Sequence, residues 1–244
     1  MAAEQSSHQP AAEQPAISPA LRNRLQRCFD RGQELSSQDK PDFDYAHTMF
    51  SECVSSDPSN LVYVEALLDN LQAKYGNNKK GARIKGFGGK KRFKRSVANE
   101  EWDHVFRLGL EILKNNPWDV PTLRALADVC QANRYNEVEL RYLKNALDAN
   151  PKDIEVNRHC AKSLARMGQF DQAIACWHRI EELNKNDEEA RPMITQLSIA
   201  KQRGFTSFGD DDSPSSVAAN QTSSPNPSKQ AADAAADDRD QEAL

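Results

Sequence analysis

Between residues 18 and 203 the large apolar side chains recur three or four positions apart and polar residues fill the intervals. This is the pattern of helices that each bury one stripe. The first predicted helix opens at Ser18-Pro19, a capping residue followed by proline at the first helical position, and carries Leu21, Leu25, Cys28 and Phe29 on one side. Asp57-Pro58, Asn116-Pro117 and Asn150-Pro151 each close an apolar-periodic stretch. A residue before proline is pushed out of the α region, so these pairs mark helix ends. No run of alternating β-branched residues suggests a strand, and the expected class is all-α. Residues 1–17 and 204–244 are predicted to be disordered tails. They are too poor in large apolar groups to offset a backbone ordering cost of about 1–2 kcal/mol per residue.

The helical stretch has a period. The step from Pro117 to Pro151, taken once more, reaches Lys185 in Leu183-Asn184-Lys185-Asn186-Asp187. A fixed step of this length is the mark of a stacked helix-turn-helix unit. Residues 154–187 carry Asn157-x2-Cys160-Ala161-x2-Leu164, a turn at Met167-Gly168-Gln169-Phe170-Asp171, and Ala173-x3-Trp177. Small Ala161 and Ala173 suit a close helix crossing, Gly168 a tight turn, and Trp177 the space between successive helix pairs. The preceding copy has Leu123-x2-Leu126-Ala127-x2-Cys130, then Leu143 and Ala146, with Glu139 where alanine would be expected. Two weaker copies precede it. One starts at Leu61, passes Tyr75-Gly76, breaks, and resumes near Val97 with Trp102, Val105, Phe106, Leu110 and Leu113. The other pairs the helix at Ser18 with one carrying Phe43, Ala46, Phe50 and Cys53.

Over residues 18–203 the chain resembles the tetratricopeptide repeat family. The resemblance implies a right-handed superhelical solenoid of three to four helix-turn-helix repeats, closed by a capping helix from Asp187 to about Arg203. It also implies a non-enzymatic scaffold whose first helices line a concave groove for a partner peptide or helix. On that face Arg158, Lys162 and Arg166 fall at i, i+4 and i+8, with Arg124 and Asp128 one repeat earlier. Glu65 and Asp69 on the corresponding earlier face depart from a full carboxylate clamp.

Charge alters this picture at one place. The net charge of −4 conceals nine basic and no acidic residues between Asn77 and Asn99, and eight acidic against two basic residues from Phe205 to Leu244. The basic segment is expected to be a loop of 77–99 inserted between the two helices of one repeat. Lys79, Lys80, Arg83, Lys85, Lys90, Lys91, Arg92, Lys94 and Arg95 supply charge, with Phe87 and Phe93 as stacking surfaces. Such a loop suits RNA, single-stranded DNA or an anionic membrane, with the acidic tail as an internal mask.

Catalytic chemistry is not expected. No paired metal-ligand motif, no G-x-S-x-G and no complete phosphate loop occurs: Gly86-Phe87-Gly88-Gly89-Lys90-Lys91 has Ile84 and Lys91 where Gly and Ser/Thr are needed. Neither a metal, a cofactor nor a small-molecule substrate is expected. The five cysteines are widely spaced, without a C-x-x-C, and read as reduced buried thiols. With a mean hydropathy of −0.78 and no visible leader, the expected address is cytoplasmic.

Overall fold

The computed structural model describes residues 17–82 and 89–208. These form ten helices and, among the described residues, no strand: α1 (Pro19–Ser37), α2 (Phe43–Ser56), α3 (Leu61–Lys74), α4 (Lys90–Ala98), α5 (Trp102–Asn115), α6 (Val120–Ala132), α7 (Asn136–Ala149), α8 (Ile154–Arg166), α9 (Phe170–Leu183) and α10 (Ala190–Gln202). No described helix is long and apolar enough to cross a membrane. The helices fall into two compact units, residues 1–156 and 157–244. Both expected tails lie outside the described residues except Ile17 and residues 204–208.

Local rules set the helix ends. Ser18 Oγ accepts from Leu21 N, and Asn60 Oδ1 accepts from Val62 N and Tyr63 N. Each thereby satisfies amide groups that the helix leaves unpaired. A second device closes α3, α10 and the first helix of each of three repeats. Glu101 N donates to Ser96 O, Tyr135 N to Cys130 O and Gln169 N to Leu164 O, at 2.9, 2.9 and 2.8 Å. Each bond closes a helix over one residue of positive φ: Glu100 (54°), Arg134 (60°) and Gly168 (72°). The opposite turns also match: the carbonyls of Asn116, Asn150 and Asn184 accept from Asp119 N, Asp153 N and Asp187 N at 3.2, 3.2 and 3.0 Å. The regular pairs are therefore α4 with α5, α6 with α7, and α8 with α9.

This corrects the expected pairing. Asp69, Gln72 and Lys79 contact Arg141, Asn145 and the Asp148 carbonyl in turn, so α3 runs in the same direction as α7. The Tyr75 hydroxyl donates to Lys114 O (2.8 Å), so α3 and α5 finish at the same end. They cannot be the antiparallel halves of one pair. The partner of α5 is α4, formed by residues expected to be loop. The basic segment misleads because Arg92 stands in the register of Leu126 and Cys160, where helices elsewhere in the repeat bury apolar side chains.

The first unit's core includes Phe50, Cys53, Leu67, Leu71, Leu113, Leu126 and Leu143. His47 lies in it, 3% exposed, with only Ser51 near Nε2 and nothing bonded to Nδ1. Burial, then the charges of Lys114 and Lys74, push its pKa down to about 4 against the weaker opposing pull of Asp44. The unfolded chain therefore binds this proton more readily than the folded one. Stability should be complete above pH 6.5 and fall by about 1.4 kcal/mol per unit between 6.5 and 4. Urea unfolding at pH 7 and 5 should reveal a loss of about 2 kcal/mol, largely absent from His47→Gln.

Candidate functional site

With the pairing corrected, the basic segment and the expected groove become parts of one pattern. Lys90, Arg124 and Arg158 share a register, as do Lys94, Asp128 and Lys162. All lie on first helices of regular pairs. In the first unit, Phe93, Lys94 and Val97 of α4, Val120, Pro121, Arg124, Ala125 and Asp128 of α6, and Asp153 line a cavity of about 310 Å³. Phe93 is buried where the other two copies have Ala127 and Ala161. A ring cannot sit at the separation an alanine permits, and the cavity opens beside it.

Lys90 does not face an open site. Its ammonium pairs with Asp119 at 2.6 Å, where Asp119 opens α6. The same interaction recurs in the second unit, where Arg158 pairs with Asp187 at 2.9 Å before α10, across the same separation in sequence. Arg158 also pairs with Glu189 and stands 5.7 Å over the Trp177 ring. These hydrogen bonds hold its guanidinium above the ordinary arginine range and hold Asp187 below the carboxylate range. Lys162 meets Glu189 at 2.9 Å, and Arg166 also has a partner within the chain. The α8 stripe is thus largely engaged by its own unit. In the first unit, Arg124 and Lys94 stand exposed, whereas Asp128 and Asp153 have partners of their own.

The remaining sequence candidates are dispersed. Lys79 donates to the Asp148 carbonyl and Lys80 is exposed. Lys91, Arg92 and Arg95 are exposed on α4, while Phe93 is 5% exposed and presents no ring for stacking, a second correction. Arg83, Lys85 and Phe87 lie outside the described residues. The cavity itself was missed in the sequence, although one repeat step back from Arg158 and Lys162 reaches Arg124 and Asp128, and a second lands on Lys90 and Lys94.

Residues 130–197 match the family model for the tetratricopeptide repeat. Over that segment the chain is similar to the tetratricopeptide repeat family. Its repeats are similar to those of several solved structures. One is the first such repeat domain of Spaghetti (RPAP3) bound to the HSP90 peptide SRMEEVD, at 13% identity and a TM-score of 0.43, covering 46% of this chain and 89% of that one. Another is YrrB, described as having an unusual peptide-binding site, at 14% identity and 0.41, covering 79% and 87%. A third is TTC0263 of Thermus thermophilus, at 18% identity and 0.35, covering 72% and 99%. No curated protein matches the chain.

Among the described residues, a hydrogen bond with Cys160 lowers the Cys176 thiol pKa against the opposing effect of burial. No group of three or more His, Cys, Asp or Glu side chains among the described residues could hold a metal ion. His104 and Glu101 form an exposed pair at 3.7 Å. Burial raises the Cys53 thiol to about 12 and pushes Cys130 higher still, which suppresses the nucleophilic thiolate.

Proposed function

We propose that the chain is a non-enzymatic adaptor that seats an extended peptide of a protein partner against α4 and α6. An apolar side chain enters the cavity beside Phe93, Val97, Val120 and Ala125, and an adjacent carboxylate lies between Lys94 and Arg124. The observation that carries this reading is the shared cavity of two neighbouring first helices, whose cations are exposed while their carboxylates are already engaged. Helices fixed in advance spare the ordering cost of building such a surface on binding.

The test is selection of hexapeptides containing one Leu and one Asp or Glu against the full chain, followed by fluorescence polarisation of the enriched sequences. Lys94→Glu with Arg124→Glu should weaken binding at least tenfold, the scale of losing two charge-assisted contacts. Arg158→Glu, which disturbs the engaged stripe, should change it much less. Enrichment of basic peptides, or insensitivity to the Lys94 and Arg124 changes, would refute the site.

A further inference from the structure

The outward side of α4 is unlike that of α6 or α8. Phe93 and Ser96 are its buried residues. Lys91, Arg92, Lys94 and Arg95 are all exposed, and none is held in an ion pair among the described residues. At 100° per residue these four spread over an arc of about 160°, opposite the buried edge. Two carboxylates lie nearby: Asp119 is taken by Lys90, and Glu101, held ionised by Asn99 Nδ2 at 3.1 Å and Ser96 Oγ at 2.9 Å, offsets Arg95 in part and leaves a net positive face. Arg92 and Arg95 also border a recess of about 170 Å³ with Ser96, Glu101 and His104.

We infer that this face of α4 binds the phosphodiester backbone of nucleic acid. Two arginines and two lysines on one rigid helix complement a line of phosphates, and arginine in particular grips a phosphate through two parallel hydrogen bonds. The occupant is a nucleic acid rather than a membrane because α4 offers no apolar wedge. Phe93 points inward, and the exposed large apolar residues among those described, Tyr45, Val62, Ile199 and Phe205, lie away from α4. An interfacial helix needs an apolar face to bury among lipids. Among the described residues α4 presents no exposed ring for base stacking, so its contacts are by charge and independent of sequence. This inference does not depend on the peptide reading, because it uses the opposite side of the helix and only Lys94 borders both.

The experiment measures anisotropy of a labelled 20-nucleotide oligouridine, and of a duplex of equal length, with the full chain between 50 and 200 mM salt. Binding at low salt should weaken with a log–log slope of about −3, as expected for up to four phosphates. Lys91→Glu with Arg92→Glu and Arg95→Glu should lower affinity at least tenfold, and the corresponding glutamine variant by an intermediate factor. Lys144→Glu with Lys152→Glu and Lys185→Glu makes the same change of net charge at other exposed sites and should remain within about threefold, since distant charges are screened. Equal losses in both charge-reversed proteins would overturn the inference. So would absence of binding at 50 mM salt, or binding to phosphatidylserine vesicles without binding to either nucleic acid. Circular dichroism of each variant separates loss of the surface from loss of the fold.

Discussion

Replacing Trp177 by alanine is expected to lower the unfolding free energy by about 3–5 kcal/mol, the range for truncating a large buried aromatic. Trp177 is fully buried on α9, and the Arg158 guanidinium lies over its ring. Truncation therefore opens a cavity and also uncovers a cation held by Asp187 and Glu189. The indole N–H has no hydrogen-bond partner, so Trp177→Phe gives up volume but no hydrogen bond and should cost appreciably less. Urea unfolding followed by far-ultraviolet circular dichroism measures both. A loss below about 1 kcal/mol for the alanine variant would mean that the ring is not a principal support of its helix pair.

The register of Trp177 also explains which parts of the fold are legible in the sequence. The equivalent positions are Leu143 and Gly109, so one site is filled by three side chains of very different size. At Gly109 the space is taken from the other side: an added Cβ would stand 2.8 Å from Leu126 Cδ2. The copy with Trp177, Ala161 and Gly168 carries the large and small residues of the pattern in its own sequence and is readable directly. The copy with Gly109 is completed by a residue of the next pair, so no local pattern marks it. Its first helix is harder still to read, because α4 buries little besides Phe93 and Ser96 and carries cations where the other copies place their core. Helical periodicity is a signal of burial, and a helix covered on one narrow edge gives almost none. The apolar α3 sends the opposite signal. It has the composition of a first helix and so reads as the partner of α5, and only the shared end of the two helices excludes that pairing.

The joint at that shared end provides the second large effect. Gly81 has a φ of +72°, and an added Cβ would lie 2.6 Å from Asn115 O and 2.7 Å from Asn116 Cα. Backbone cannot yield there as a flexible side chain would, so Gly81→Ala must push the segment off the end of α5. The change then costs about 1 kcal/mol for the left-handed backbone. It also loses the Ala82 N to Asn115 O bond of 2.8 Å, and strains the Asn78 side chain that accepts from Lys80 N and Gly81 N. With about 1 kcal/mol for each hydrogen bond lost, destabilisation should reach about 2–3 kcal/mol. Gly76→Ala is the control: φ is +55° and nothing lies within 4 Å of an added Cβ, so only the backbone contribution of about 1 kcal/mol remains. Because this joint ends α3 beside α5 and leaves the following residues to form α4, Gly81→Ala should also weaken ligands of the α4 surface in proportion to its loss of order. Equal stability of the two alanine variants would show that the backbone contact at Asn115 and Asn116 contributes nothing to holding α3 and α5 together.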